Sequence, residues 1–387
     1  MSPASRKQFQ RAYGFDEVAL SPSDITLDPE LVDISSTIAG IKLNIPIFAS
    51  AMDSVVNPKT AIEIGHAGAV GVLNLEGVQT RYENPDEILE KIAAVSKDDY
   101  VGMMQEIYRG SPVREELVVS RIKEIKAGGT PAVVSATPQN AMRLGPLAAQ
   151  AGAEAFLIQS TVVSNNYKPK DPSHKLDLVA FCKMMPIPVM VGNTATYSVT
   201  RDLMTTGVQA VFVGIGPGAA CTTRGVLGLG VPMATSVSDC ATARNDHYEE
   251  TGTYIPIIAD GGIVNSGDIC KALACGADAV MIGSPFARAK EAPGRGFHWG
   301  MATPNAVLPR GARIEVGSIA SIKQILLGPS GRDDGSQNLA GAIQTCMATV
   351  GAATIRDMHN IPVLVAPSLL TEGKIYQQAQ RLGMYKK

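Results

Sequence analysis

A cysteine in a glycine-rich loop is the first feature of this sequence that could do chemistry. Residues 214–224 read GIGPGAACTTR, so Cys221 is followed by two threonines and by Arg224. A thiolate is a strong nucleophile, and a nearby positive charge such as that of Arg224 favours its formation. We therefore predict a nucleophilic cysteine; the alternative is a small cysteine buried in a glycine turn.

The glycines of the same loop suggest a second role for its backbone. Gly214, Gly216 and Gly218 allow dihedral angles that other residues rarely adopt, so the loop can turn its carbonyl oxygens inward. Inward carbonyls can replace the hydration shell of a monovalent cation. The spacing also resembles GxGxxG, but no acidic residue ends a following strand about 20 residues later, as a dinucleotide-binding turn requires.

Two further glycine-containing segments have the pattern of a phosphate site. Asp260-Gly261-Gly262 and Gly283-Ser284 each follow an apolar run. In an α/β barrel, the loops after strands seven and eight often bind phosphate through backbone amides. A carboxylate at this position could accept hydrogen bonds from ribose hydroxyls; the alternative is that Asp260 caps the next helix.

These segments must be positioned by the short apolar runs that precede them. The runs do not alternate apolar with polar residues, which indicates strands buried on both faces, as in parallel sheets. Helical patterns that end in glycine lie between them. We therefore predict an α/β protein with a (β/α)8 TIM barrel, and a doubly wound sheet is the alternative. The predicted strands are 46–50, 69–73, 132–135, 155–159, 188–192, 210–214, 256–260 and 279–283.

Two segments interrupt this alternation within a predicted single catalytic domain, residues 1–387. Residues 75–130 are polar and helix-rich, and are interpreted as an elaborated helical connection. Residues 291–338 are rich in Gly, Pro and Arg. A long loop inside a compact domain is usually functional or mobile, so this segment is predicted to be an active-site flap after strand eight.

Composition narrows the choice of partners and compartment. The chain has 387 residues, a net charge of −2 and no basic block of the kind that nucleic-acid binding needs. No apolar run reaches the roughly 18 residues needed to cross a bilayer. The six cysteines lack metal-type spacing, which favours reduced thiols in a cytoplasmic protein. Nucleic-acid and membrane partners are therefore not expected.

Taken in order, the motifs resemble a known superfamily. SAMDSV, GNT, the GxGPGxxCTTR loop, IADGGI and GADAVMIGSPFA are similar to the inosine monophosphate (IMP) dehydrogenase and guanosine monophosphate (GMP) reductase superfamily, over about residues 14–365. HWGMATP and the chain length look most like the dehydrogenase-related branch without the paired CBS regulatory module. Residues 75–130 occupy the place of that module.

The resemblance implies a covalent mechanism. Cys221 would attack C2 of the hypoxanthine ring of IMP, and hydride would pass from C2 to NAD⁺. Water would then hydrolyse the thioimidate of xanthosine monophosphate (XMP) after the flap moves in. Thr223 matches the threonine that helps activate this water. The family's Arg-Tyr general base has no adjacent counterpart here, so Arg310, with Arg313, is the candidate in the flap.

The resemblance also assigns binding residues. Substrate would contact Ser50, Met52, Asn193, Asp260, Gly262, Gly283, Ser284, His298, Gly300, Met301, Ala302 and Glu315. The cofactor NAD⁺ would contact Gln159, Ser160, Thr161, Gly214 and Gly216, and K⁺ would be held by the carbonyls of Gly216, Gly218 and Cys221. The family forms tetramers, so we expect a homotetramer, possibly an octamer, in which residues 371–376 (TEGKIY) could complete a neighbour's cation site.

Some positions depart from the family pattern. Ala219 stands where a serine usually contacts phosphate, and Gln159 replaces an aspartate that usually contacts the cofactor ribose. His298 stands in place of a phosphate-binding tyrosine.

Three functions are compatible with these residues. The first is an IMP dehydrogenase of guanine nucleotide synthesis; the second is GMP reductase, which uses the same cysteine but takes hydride from NADPH and releases ammonia. The long flap and HWGMATP favour the dehydrogenase, because hydrolysis needs a mobile element to replace the departed cofactor. The third is a non-catalytic barrel that binds a purine nucleotide.

Overall fold

The predicted apolar runs all form strands, and these strands close into a barrel. The computed structural model describes residues 9–171, 175–366 and 372–383. Parallel pairing joins each strand to the next, and the last strand pairs with the first through Val280–Ile47 and Ile282–Ala49. The closed (β/α)8 barrel predicted from the sequence is confirmed, and the doubly wound alternative is wrong. Its strands, β1 to β8, are Ile47–Ala49, Val70–Asn74, Val133–Ala136, Ala155–Gln159, Val189–Thr194, Ala210–Val213, Ile257–Asp260 and Ala279–Ile282.

Alternate residues of each strand pack on opposite faces of the barrel wall. Phe48 and Phe212 point into the interior, where their rings meet edge to face at 5.8 Å. Neighbours such as Ile47 and Val211 pack outward against the helices. Both faces are buried because side chains alternate along a strand, so the strands read as continuous apolar runs. An antiparallel hairpin, Ser36–Ile38 with Ile41–Leu43, contributes Ile38 and Leu43 to the interior core.

Amphipathic helices cover the barrel, and their ends follow local sequence signals. Asn57, Asp177 and Asn265 cap the first turns of the helices that follow them. The helices are Pro58–His66, Pro85–Ala94, Tyr100–Gly110, Glu115–Ala127, Pro138–Ala151, Leu178–Met184, Tyr197–Met204, Thr223–Leu227, Met233–Thr251, Ser266–Ala274, Ser284–Ala287, Ile322–Leu327, Leu339–Thr349, Ile355–Met358 and Ile375–Gln380. Short 3₁₀ turns occupy Phe15–Glu17, Pro29–Leu31, Val78–Thr80 and Glu372–Lys374, and strand Val18–Leu20 pairs with Val363–Val365.

The connection over residues 75–130 contains three helices with different surroundings. Glu115–Ala127 packs between Pro58–His66 and Pro138–Ala151, as an outer helix of the barrel. Pro85–Ala94 and Tyr100–Gly110 instead form a separate apolar cluster with Trp299. The elaboration of the barrel is therefore concentrated in these two helices.

The segment predicted to be a flap is folded. Strands Phe297–Trp299 and Arg313–Glu315 pair as an antiparallel hairpin that encloses residues 300–312. Helix Ile322–Leu327 packs against Leu339–Thr349 on the outside of the barrel. We use "flap hairpin" below for residues 297–315.

A buried ion pair lies at the amino-terminal ends of the last strands. Asp278, directly before β8, accepts hydrogen bonds from the Arg244 guanidinium at 2.9 Å, the amide of Ile257 at 2.9 Å and the hydroxyl of Tyr254 at 2.5 Å. The Arg244 side chain is 2% exposed. This face of the barrel is opposite the site described next, which favours a structural role.

Within the described ranges, no helix has both the length and the apolar character needed to span a membrane. None of the six cysteines is paired in a disulfide.

Candidate active site

A cavity of about 650 Å³ opens at the carboxyl ends of the barrel strands. It is lined by all but two of the residues assigned to the site from the sequence. The exceptions, Arg313 and Glu315, both lie on the outer strand of the flap hairpin, opposite Trp299 and Phe297. The predicted residues that the cavity brings together are Ser50, Met52, Gln159, Ser160, Thr161, Asn193, Gly214, Gly216, Gly218, Cys221, Thr223, Asp260, Gly262, Gly283, Ser284, His298, Gly300, Met301, Ala302 and Arg310.

The cysteine loop leaves β6 through backbone conformations that need glycine. Gly214 has φ +150°, and a methyl group there would overlap the carbonyl oxygen of Asp260. Gly216 has φ +73°, and the amide of Cys221 closes a turn on the carbonyl of Gly218 at 3.0 Å. Cys221 is half-buried and faces the cavity, so its thiol is accessible to a ligand.

The positive charge predicted beside the thiol does not come from Arg224. Its guanidinium donates to the carbonyl of Val231 at 3.1 Å, and the residue does not line the cavity. That expectation is wrong, because the long side chain folds back along its own loop. Arg310 of the flap hairpin is a cation that does line the cavity.

The flap hairpin is joined directly to the cysteine loop. Gly311 forms an antiparallel bridge with Cys221, and the amide of Ala312 donates to the carbonyl of Ala220 at 2.8 Å. Thr223 is fully buried, and neither its hydroxyl nor Nε of Arg310 has a hydrogen-bond partner among the residues that the structure describes. Buried polar groups are normally paired, so these two groups are available to a ligand or water.

Asp260 is the acceptor of a side-chain network at the end of β7. Its Oδ2 accepts from Nδ2 of Asn193 at 2.7 Å and from Nε2 of Gln159 at 3.0 Å. The following helix is capped by Asn265, whose Oδ1 accepts from the amide of Asp268 at 3.0 Å, so the capping alternative for Asp260 is wrong. Burial raises the pKa of Asp260, and the hydrogen bonds from the two amides lower it by less. The resulting pKa is about 6.

The Gln159 amide is therefore directed at Asp260 and Asn193. Its Nε2 also lies 3.3 Å from Oδ1 of Asn193. The residue was expected to contact the cofactor ribose, and in this structure it orients the Asp260 carboxylate.

The ends of β7 and β8 form a narrow cradle. Gly261 and Gly262 have φ of +83° and +71°, and a methyl group on Gly283 would lie 3.2–3.4 Å from the His298 ring and the Ser50 hydroxyl. His298 is 3% exposed, and its Nδ1 lies 3.0 Å from Oγ of Ser54. Burial lowers the pKa of His298 to about 4, so the ring is neutral at neutral pH.

One wall of the cavity was missed in the sequence. Arg81 donates from Nε to the carbonyl of Glu76 at 2.9 Å, and from Nη1 to those of Tyr108 at 2.9 Å and Ser111 at 2.6 Å. The carboxylate of Glu76 accepts from the amide and hydroxyl of Thr137. A polar run directly after β2 was a signal, but it belongs to the segment interpreted as an elaborated helical connection. The cavity residues of this wall are Asn74, Glu76, Arg81, Tyr108, Ser135 and Thr137.

The fold and the cavity define a class: a (β/α)8-barrel enzyme with its site at the carboxyl ends of the strands. A family model described as "IMP dehydrogenase / GMP reductase domain" matches residues 12–303. The chain belongs to the IMP dehydrogenase/GMP reductase family of oxidoreductases, as the sequence motifs predicted.

Individual relatives agree with this membership. An uncharacterized oxidoreductase of Mycolicibacterium smegmatis is 34% identical, over 92% of this chain and 97% of that protein. An inosine-5'-monophosphate dehydrogenase of Methanocaldococcus jannaschii is 30% identical, over 74% of each chain. The crystal structure of an IMP dehydrogenase/GMP reductase-like protein from Corynebacterium glutamicum has a TM-score of 0.88 and 33% identity, over 94% of this chain and 97% of that one.

Proposed function

We propose that this protein oxidises IMP to XMP with NAD⁺, through a covalent intermediate on Cys221, as a step of guanine nucleotide synthesis. The observation that carries the proposal is the shared cavity. It places an accessible thiol, an unpartnered threonine hydroxyl and a flap arginine together with Asp260 and a glycine cradle. Similarity to a relative named as an IMP dehydrogenase supports the choice of substrate.

The nucleotide would lie across the mouth from β8 to β6. Its phosphate would bind at Gly262, Gly283 and Ser284, with the neutral His298 ring as a further hydrogen-bond partner. Its ribose hydroxyls would donate to Asp260, which Asn193 and Gln159 hold in place. Its base would lie over Cys221, beside Gly300, Met301 and Ala302.

The reaction then takes two balanced steps. The Cys221 thiolate adds to C2 of the base while C2 loses hydride, which NAD⁺ accepts to become NADH. Water next adds to C2 of the thioimidate and gives up a proton, the carbon–sulfur bond breaks, and XMP and free Cys221 result. We assign Thr223 and Arg310 to positioning and deprotonating that water.

The residues present fit both NAD⁺ and K⁺, the cofactor and the cation predicted from the sequence. The cavity wall across from the proposed nucleotide position carries two hydroxyls and a cation, from Ser160, Thr161 and Arg81. These groups suit a dinucleotide, because its phosphates accept hydrogen bonds and are negatively charged. For K⁺, Gly216 has φ +73°, a conformation that favours glycine, and the Gly218 carbonyl keeps one lone pair after accepting the Cys221 amide. K⁺ would hold the loop that carries the thiol in one conformation.

We also propose a cytoplasmic homotetramer. Exposed apolar side chains on the loops after β4, β6 and β7 support association through this face: Tyr167 is 55%, Leu229 48% and Val264 55% exposed. Light scattering on purified protein tests the assembly; a monomer would contradict it. Cell fractionation tests the compartment.

Two parallel assays test the proposed reaction. The protein is incubated with IMP and NAD⁺, and separately with GMP and NADPH, while absorbance of the reduced cofactor is followed. We expect NADH formation that depends on IMP. NADPH consumption with GMP alone would instead identify a GMP reductase, and no turnover in either assay would leave a nucleotide-binding barrel.

A further inference from the structure

The two extra helices of the 75–130 connection form a platform under the flap hairpin. Trp299 of the hairpin is fully buried against them. Polar contacts surround this core: Arg295 pairs with Glu90 at 2.6 Å, and Gln105 donates to the carbonyl of Asn305 at 3.3 Å. We call helices Pro85–Ala94 and Tyr100–Gly110 the dock. The apolar cluster they form with the hairpin contains Val78, Leu89, Ile92, Tyr100, Met104, Ile107 and Trp299.

Arg313, on the outer strand of the hairpin, is hydrogen-bonded to the dock. Its guanidinium donates to the carbonyls of Ile92 and Ala93, and at 2.7 Å to that of Val95, where helix Pro85–Ala94 ends. A cation is favourable at a helix carboxyl terminus, where carbonyls lack helical partners. Arg313 is therefore held away from the reaction, which leaves Arg310 as the candidate flap base.

Tyr100 contacts the part of the flap hairpin that lies beside Cys221 and Arg310. Its hydroxyl donates to the carbonyl of Gly311 at 2.7 Å and lies 3.4 Å from Oγ1 of Thr303. Gly311 is the residue that bridges to Cys221, and it directly follows Arg310. A single hydroxyl of the dock thus fixes the part of the flap hairpin that joins the cysteine loop.

We propose that Tyr100 is a positioning residue, which docks the flap hairpin so that Arg310 faces the thioimidate on Cys221. The inference rests on the proposed function, because it concerns the hydrolytic half of that reaction. Tyr100 acts through Gly311 and contacts no substrate. Loss of its hydroxyl slows hydrolysis, which needs the docked hairpin, and leaves hydride transfer unchanged.

The matched experiment compares Tyr100→Phe with Tyr82→Phe. Both variants keep the ring and remove a hydroxyl bond to a backbone carbonyl, but Tyr82 bonds to Ile107 within the dock, at 2.6 Å. Rapid mixing with IMP and NAD⁺ separates the NADH burst, which reports hydride transfer, from the steady state, which reports hydrolysis. We expect Tyr100→Phe to lower the steady-state rate about fivefold, the effect of one lost hydrogen bond, with an unchanged burst. Tyr82→Phe should change neither rate.

Trp299 supplies a readout that does not depend on turnover. It is the only tryptophan of the chain, so its fluorescence reports the dock directly. We expect acrylamide to quench it more strongly in Tyr100→Phe than in wild type or Tyr82→Phe.

The outcomes separate this inference from the proposed function. If wild type does not oxidise IMP, the proposed function fails, and the quenching comparison alone decides the docking. Equal quenching in both variants would overturn the docking role. A steady state and a burst that fall in the same proportion in Tyr100→Phe, or an equal loss in Tyr82→Phe, would overturn the positioning role.

Discussion

Replacing Asp260 by asparagine should make the protein more stable and a poorer enzyme. The substitution keeps an oxygen that can accept from Asn193 and Gln159, at the 2.7 Å and 3.0 Å positions of the present hydrogen bonds. It removes the negative charge, which burial disfavours and which we propose is needed for the ribose hydroxyls.

The magnitude follows from the pKa of the carboxyl group. A rise from its ordinary 3.8 to about 6 corresponds to roughly 3 kcal/mol against the ionised form in the folded protein. The folded pKa lies above the unfolded one, so ionisation costs stability as pH rises through this interval, and the cost is complete above about pH 6. Relative to wild type, Asp260→Asn should thus gain about 1 kcal/mol near pH 4.5 and about 3 kcal/mol near pH 8.

Substrate binding should change in the opposite direction. Hydrogen bonds to a charged acceptor contribute about 1 kcal/mol more than neutral ones, so two ribose bonds lose about 2 kcal/mol and IMP binds roughly 30-fold more weakly. By the same reasoning, wild-type affinity for IMP should fall as pH drops below about 6, where Asp260 becomes neutral.

Urea unfolding at the two pH values and calorimetric titration with IMP measure both effects. Ser160→Ala is the control, because it alters the same cavity without changing a carboxyl group. The reasoning is refuted if Asp260→Asn has the same advantage at both pH values, if it is less stable than wild type near pH 8, or if it binds IMP as tightly as wild type.

Four further predictions concern separate parts of the molecule. Cys221→Ala should abolish turnover but retain IMP binding, and mass spectrometry of wild type quenched during turnover should find a nucleotide adduct on Cys221; turnover by the variant would exclude the covalent route. Asp278→Ala should cost about 3–5 kcal/mol in urea unfolding because it leaves Arg244 buried and unpaired, and a loss below about 1 kcal/mol would contradict this. Replacing K⁺ by Na⁺ should slow turnover, since the carbonyls of the Gly218 turn would close around a smaller ion; equal rates would argue against a cation site. Arg81→Met should raise the KM for NAD⁺ with IMP affinity unchanged, and steady-state kinetics with each substrate varied would show the reverse if Arg81 served the nucleotide instead.

The strands of the barrel were predictable because their burial on both faces requires apolar runs that are visible in the sequence. Strands buried on both faces, such as Ala210–Val213, leave an uninterrupted apolar run, and side chains at their carboxyl ends must meet at one mouth. Barrel closure was not predictable from the same signal, since a doubly wound sheet buries its strands in the same way. It required the pairing of β8 with β1.

The direction of long side chains limited prediction of the site. Arg224 is near Cys221 along the chain, and Arg310 is near it in the fold. Only the path of the backbone decides which guanidinium enters the cavity. Arg81 and Tyr108 reach it from a connection whose polar composition is also typical of a solvent-facing surface. Their contribution depends on carbonyls that accept the Arg81 guanidinium, and sequence patterns do not show where those carbonyls point.

The glutamine at position 159 is better explained by Asp260 than by a cofactor. A carboxylate in place of its amide nitrogen would lie 3.0 Å from Oδ2 of Asp260. At an effective dielectric constant of about 20, two charges at that distance repel by roughly 5 kcal/mol, so one carboxyl group would stay protonated at neutral pH. The amide instead donates a hydrogen bond that lowers the pKa of Asp260, and burial outweighs this effect, so that the pKa is about 6. The departure from the family pattern thus keeps a single ionised carboxylate where the proposed ribose hydroxyls need an acceptor.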